Sequence, residues 1–186
     1  GGGVAGISAT AFAASMGAKV VCIEAKRLGG DCTWSGCVPS KALIKMSHIL
    51  QGAKEARKFG IKCDDPKADL KIVKEHVWKA IHAVAKLDEE SLESTGAPLR
   101  YGMAKFVDKQ TIDLTTPSGE VQKIRSKGFV LCVGAEPAPP PIKGLSEVPY
   151  LTYENIFDLD VLPNRMCVVG AGVIGCEMAQ AFARLG

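Results

Sequence analysis

The chain has 186 residues, 47% of them hydrophobic, and a formal net charge of +3, which allows one buried core with part of a second and gives no charge argument for a nucleic-acid partner. No apolar run approaches the roughly 20 residues of a membrane-spanning helix. Seven cysteines at irregular spacing make a poor secreted framework, so a reducing compartment, cytoplasmic or organellar, is expected.

In chain order, Gly1-x-Gly3-x-x-Gly6 leads into an alanine-rich helical stretch, Ile7–Met16, closed by Gly17. Ala18–Glu24 then reads as a buried strand ending in an acid. Glycines at this spacing permit a tight turn and close backbone approach to a pyrophosphate at a helix N-terminus, and Glu24 is placed to accept from a ribose hydroxyl. The competing reading is a plain glycine-rich turn. No strand precedes Gly1, and the chain stops at Gly186 straight after a helical pattern, so both ends are expected to continue into further chain.

Next comes Gly29-Gly30-Asp31-Cys32-Thr33-Trp34-Ser35-Gly36-Cys37-Val38-Pro39-Ser40-Lys41. In a continuous α-helix, Cα atoms five residues apart are separated by roughly 8.6 Å, beyond the roughly 4.4–6.8 Å of a disulfide. If Cys32 and Cys37 bond to one another, the loop must leave helical geometry, and Gly36 supplies that freedom. Pro39 suits a first helical turn, with a helix beginning directly after the second sulfur. Such a sulfur meets the positive end of the helix dipole. The layout suits a redox-active pair. Zinc prefers two to four residues between paired cysteines and a second pair elsewhere, which this chain lacks, so no metal site is expected. Inert thiols are the other alternative.

Leu43, Met46, Leu50 and Ala53 recur at helical spacing up to Gly60, and Asp69 is placed to cap a longer helix. Its stripe is Leu70, Val73, Val77, Ala80/Ile81, Val84 and Leu87, ending near Gly96. These two read as a helical hairpin. His48, His76 and His82 lie on the helices as surface or packing residues. Leu99–Val107, Thr111–Leu114 and Val121–Arg125 suggest an antiparallel meander. Gly128–Gly134 reads as a strand buried on both faces, and Pro137–Pro141 as an extended segment. Arg165–Val169 reads as a strand, followed by Gly170-x-Gly172-x-x-Gly175 and a helix from Cys176 to Leu185: a second dinucleotide fingerprint.

The Gly-Gly-x-Cys-x4-Cys-x-Pro-Ser-Lys loop, with a glycine fingerprint on either side, resembles the redox loop of the flavin-dependent pyridine nucleotide–disulfide oxidoreductases. The resemblance runs over the whole chain. It implies an α/β fold: an FAD-binding Rossmann-like domain over 1–162, without its first strand and carrying helical-hairpin and β-meander inserts, then the start of an NAD(P)-binding Rossmann-like domain over 163–186. FAD would meet Gly1, Gly3, Gly6, Glu24, Gly29, Gly30, Gly36 and Gly134. NAD(P)H would meet Gly170, Gly172 and Gly175. Where the family has Ala-Thr-Gly near the flavin nucleotide, this chain has Cys132-Val133-Gly134, so the hydroxyl is lost and the glycine kept. By the same resemblance Cys32 and Cys37 form the redox disulfide, Cys37 as the flavin-proximal sulfur and Cys32 as the interchange thiol. Lys41 and Glu177 form an ion pair beside the flavin, against the alternative that each decorates its own helix.

The family's catalytic base is a histidine of a C-terminal domain contributed by the partner subunit of a homodimer, and it is not in this sequence. Asp31 and Trp34 depart from the usual threonine and asparagine and look most like the mercuric-reductase-like branch, with Hg(II) as substrate. The Pro-Ser-Lys-Ala-Leu run resembles the loop of dihydrolipoamide dehydrogenases too, which makes them the close runner-up, and glutathione-reductase-type disulfide reduction is a further alternative. Of another class is a flavoprotein for electron transfer or regulation whose cysteines are structural.

Overall fold

The computed structural model describes residues 1–186. The chain divides into two compact units, Gly1–Thr33 with Val84–Glu136, and Trp34–Ala83 with Pro137–Gly186. No helix is long and apolar enough to cross a membrane.

In the first unit, α1 (Val4–Ser15) is rich in alanine, the strongest helix former. It stops where Gly17 takes a left-handed conformation (φ 79°) and donates its amide to the Ala14 carbonyl at 2.9 Å. β1 (Cys22–Glu24) pairs in parallel with β2 (Leu99–Tyr101), Cys22 opposite Leu99. The strand expected over Ala18–Glu24 is therefore shorter, because only its last three residues have a ladder partner. A short helix, α2 (Gly30–Trp34), follows. Ile7, Cys22, Leu28 and Leu92 close a small core, with Leu99 against it.

The meander forms as β3 (Met103–Phe106), β4 (Thr111–Thr115) and β5 (Val121–Arg125), antiparallel in that order. Ile112 and Leu114 alternate into its buried face. The expectation of one strand over Leu99–Val107 is corrected. The chain breaks at Gly102 (φ 153°), whose amide donates to the Glu24 carbonyl at 2.9 Å. A side chain there would run into the Thr115 carbonyl. The half before Gly102 joins β1 and the half after it joins the meander.

In the second unit, α3 (Cys37–Glu55) continues into a 3-10 turn, Ala56–Phe59, closed by left-handed Gly60 (φ 79°). α4 (Leu70–Ser94), which belongs to this unit up to Ala83 and to the first unit from Val84, starts on Asp69, whose Oδ1 accepts from the amides of Lys71 at 2.9 Å and Ile72 at 3.4 Å. α5 (Val173–Leu185) packs on α3. Leu43 and Leu50 of α3, Val77 and Ile81 of α4, and Met178 and Phe182 of α5 share one core. Each large side chain buried there stabilises the unit by about 1.5–3 kcal/mol. The α4 stripe holds to Ile81, but Leu87 is exposed; the buried line runs on through Ala85 and Leu92, closer to the 3.6-residue period.

Two expected strands are absent. Gly128–Gly134 and Arg165–Val169 have no ladder partner, and Val130, Val133 and Val169 are 73%, 82% and 73% exposed. An apolar run signals a tendency to be buried, whereas a strand also requires a neighbour for its amides and carbonyls. The helix expected from Cys176 starts three residues earlier, at Val173.

Candidate functional site

Both glycine fingerprints fold into the same turn. At the first, Gly3 is the N-cap of α1 in an extended conformation (φ −77°, ψ −173°), and the Ile7 amide donates to its carbonyl at 2.9 Å. At the second, Gly172 caps α5 (φ −74°, ψ 176°), with the Cys176 amide at 3.0 Å from its carbonyl. A Cβ on Gly6 would collide with the Gly1 carbonyl, and one on Gly175 would stand 2.6 Å from the Gly170 carbonyl oxygen. Only glycine permits that approach. Neither helix has a side-chain cap or an acid in its first turn. Their first amides therefore point outward uncapped, the arrangement that suits a phosphate.

Around the first turn, the first unit gathers most of the residues expected there. The Gly2 amide donates to Glu24 Oε2 at 2.5 Å, and the Lys26 amide donates to Oε1 at 2.7 Å. Glu24 is buried, yet each carboxylate oxygen keeps a second lone pair for a hydroxyl donor. The Gly29 amide donates to the Gly2 carbonyl at 2.8 Å, Gly3 and Gly29 form a parallel bridge, and a Cβ on Gly30 (φ 61°) would stand 2.8 Å from Gly3 Cα. The Cys132 backbone carbonyl lies where a Gly1 side chain would go. The sequence reading concerns only the hydroxyl missing at Val133 and not the Cys132 backbone. Gly134 (φ 73°) has open space around it and is not drawn into this cluster. Beneath the turn, burial pushes the Cys22 thiol up from its ordinary value, partly offset by a hydrogen bond with Thr10.

The cysteine segment leaves helical geometry between its two sulfurs. Cys32 lies half-buried within α2, which ends at Trp34, and exposed Cys37 is the first residue of α3. Gly36 is the irregular N-cap between them (φ −116°, ψ −108°). The second helix thus starts on the sulfur-bearing residue itself rather than after it. Pro39 occupies its first turn, where a missing amide costs nothing, and the Ser40 amide makes the first internal bond, to the Gly36 carbonyl at 3.1 Å.

In the second unit, Lys41 Nζ donates to Glu177 Oε1 at 2.6 Å and Oε2 at 2.8 Å, joining α3 to α5. The expected ion pair forms. His82, read from sequence as a surface or packing residue, lies exposed with its ring against Trp34 and Trp78. Asp88, which accepts from Thr33 in the first unit, was missed. Nothing in the pattern of α4 marked it.

The chain matches the pyridine nucleotide-disulphide oxidoreductase family over residues 1–186. It is 34% identical over 192 residues to a mercuric reductase of Serratia marcescens and 35% over 190 residues to one of Staphylococcus aureus. It is 30% identical over 188 residues to a mitochondrial dihydrolipoyl dehydrogenase of Dictyostelium discoideum. All of this chain is covered in each, but only 41%, 33% and 38% of the respective relative. The crystal structure of LpdA from Mycobacterium tuberculosis superposes on the whole chain with a TM-score of 0.88 at 27% identity, 41% of that structure being covered. Pyridine nucleotide–disulfide oxidoreductases of this kind use FAD and NAD(P)H. Together with the turn geometry shared by the two fingerprints and the Cys-x4-Cys sequence between them in the chain, these matches establish that the chain belongs to the pyridine nucleotide–disulfide oxidoreductase family.

Proposed function

We propose that this chain is the part of an oxidoreductase that takes reducing equivalents from NAD(P)H by way of FAD to a Cys32–Cys37 disulfide and on to a substrate, most like the reduction of Hg(II). The observation that carries the reading is one phosphate-cradling turn built twice, at Gly1–Gly6 and Gly170–Gly175, in a chain whose intervening loop holds two sulfurs. The relatives named mercuric reductase support the choice of branch. The dihydrolipoyl dehydrogenase relative and the LpdA structure support disulfide reduction as a second reading.

The residues fit both cofactors. The uncapped amides of α1 and the lone pairs of Glu24 would hold the pyrophosphate and a ribose of FAD, with Gly29 and Gly30 allowing close approach. The amides of α5 would hold the NAD(P)H pyrophosphate. Bound FAD supplies the means to accept an electron pair from NAD(P)H and deliver it to a disulfide. Two electrons and one proton convert the Cys32–Cys37 disulfide into one thiol and one thiolate. With a disulfide substrate, Cys32 attacks one substrate sulfur as its thiol proton is released, and the other substrate sulfur leaves as thiolate and takes up that proton. The Cys37 thiolate then attacks Cys32 Sγ, expelling the second substrate sulfur as a thiolate that takes a proton from solvent, and closing the pair again. Toward Hg(II), the same sulfurs act as ligands for the substrate ion. Lys41, held by Glu177, provides a fixed positive charge on α3.

Residues 1–162 serve the FAD side and 163–186 begin the NAD(P) side of a homodimeric enzyme working in a reducing compartment. Anaerobic titration of the full-length, FAD-loaded protein with NADPH or NADH tests this. A long-wavelength absorbance band after two electrons, lost in Cys37→Ser, supports the relay; direct full bleaching of the flavin with no such band, unchanged in Cys32→Ser and Cys37→Ser, overturns it.

A further inference from the structure

Two consecutive residues between the cysteines are each held by α4. In the first unit, Thr33 is 2% exposed and its hydroxyl donates to Asp88 Oδ2 at 2.6 Å. The packing there is tight: a Cβ on Gly29 (φ 99°) would stand 2.7 Å from Asp88 Oδ2 and 2.9 Å from Thr33 Oγ1. Glycine at that position keeps the carboxylate seated on the hydroxyl.

In the second unit, Trp34 meets His82 edge-on, with ring centroids 5.9 Å apart and planes at 88°. Trp78, one turn before His82 on α4, lies 5.7 Å from the same ring. His82 Nδ1 is 2.8 Å from the Trp78 carbonyl oxygen. A carbonyl only accepts, so Nδ1 carries the hydrogen and the imidazole is fixed in orientation. Thr33 and Trp34 are the last residues of α2, and only Ser35, itself buried, and Gly36 separate them from Cys37.

We propose that Asp88 and His82 are positioning residues for the Cys32–Cys37 pair, with α4 holding Thr33 and Trp34 so that the intervening backbone keeps one sulfur in reach of the other. The inference rests on the redox reading of the two cysteines and deepens it. Closing a disulfide depends on the effective concentration of one sulfur at the other, which a pre-formed loop raises and a loose one lowers. Releasing the loop therefore shifts the equilibrium toward the dithiol.

The test uses the full-length, FAD-loaded protein. Thr33→Val removes the donor and keeps the shape, whereas Thr33→Ser keeps the donor. Asp88→Asn weakens the acceptor, His82→Ala removes the aromatic edge and His82→Phe restores it. The dithiol–disulfide equilibrium is measured against glutathione, together with the rate of Cys32 alkylation by iodoacetamide after anaerobic NAD(P)H reduction. Thr33→Val, Asp88→Asn and His82→Ala should each move the equilibrium toward dithiol by about tenfold, about 30 mV for this two-electron couple. Thr33→Ser and His82→Phe should stay within about twofold, and the Thr33→Val/Asp88→Asn double variant should go little beyond either single change. Equilibria unchanged in Thr33→Val, Asp88→Asn and His82→Ala, or Thr33→Ser behaving like Thr33→Val, overturn the proposal. If Asp88→Asn fails to take up FAD, the two Thr33 variants decide the matter. A wild type whose Cys32 alkylates equally with and without NAD(P)H removes the redox reading itself, whereas insensitive variants of a responsive wild type remove only the positioning role.

Discussion

Glu177→Gln should separate the chemical from the structural role of the α3–α5 ion pair. At 2.6 Å, unit charges attract by about 6 kcal/mol at an effective dielectric near 20 and by about 1.6 kcal/mol in bulk water. Lys41 is 60% exposed and Glu177 30%, so solvent screens the attraction and ordering two long side chains offsets part of it. A net worth of about 1 kcal/mol or less follows. By contrast, Phe182→Ala on the same helix removes a 5%-exposed ring from the α3–α5 core and should cost about 3–5 kcal/mol. Denaturant unfolding of the full-length variants reads these costs, and stopped-flow reduction by NAD(P)H reads the chemistry. Glu177→Gln should lose about 1 kcal/mol or less and slow reduction by about tenfold, equivalent to about 1.4 kcal/mol of barrier. Lys41→Gln should behave likewise, and the double variant should show coupling between the two sites. An unchanged reduction rate, or a stability loss as large as that of Phe182→Ala, would refute the reasoning.

Gly6→Ala drives a methyl into the Gly1 carbonyl, so the turn must open; flavin absorbance per purified chain should fall to a small fraction of wild type. Glu24→Gln turns one of two acceptors into a donor facing a backbone amide, and urea unfolding should show a loss of about 1–3 kcal/mol. The hydrogen bond and positive charge of Lys74 hold the Asp160 carboxyl below its ordinary value of 3.8. The native state thus binds that proton less readily than the unfolded chain. The resulting stability is present above the ordinary value and lost as pH falls through the lowered one. The difference between wild type and Lys74→Met in chemical denaturation should be constant from neutral pH down to about pH 5 and shrink in stronger acid.

Much of the helical structure was legible in the sequence because its signals are local. Asp69 capping α4, Gly60 and Gly96 closing helices, and the alternation around Ile112 and Leu114 each depend on a few neighbouring residues. The Lys41–Glu177 pair was legible only through family resemblance, since nothing local joins residues on separate helices. Val130, Val133 and Val169 misled because apolar character reports a tendency to be buried and carries no information on whether a partner strand is present. Asp88 could not be read, because an acid 55 positions from its threonine carries no periodic mark. Gly102 was legible as a glycine but not as the point where one strand becomes two; that depended on the Glu24 and Thr115 carbonyls closing on it from different strands.

Peptide mapping of the full-length protein with differential alkylation, before and after anaerobic NAD(P)H, tests the central claim most directly. The account predicts a Cys32–Cys37 cross-linked peptide in the oxidised protein, replaced by two alkylated cysteines after reduction. Both cysteines alkylated to the same extent in the two samples would contradict it.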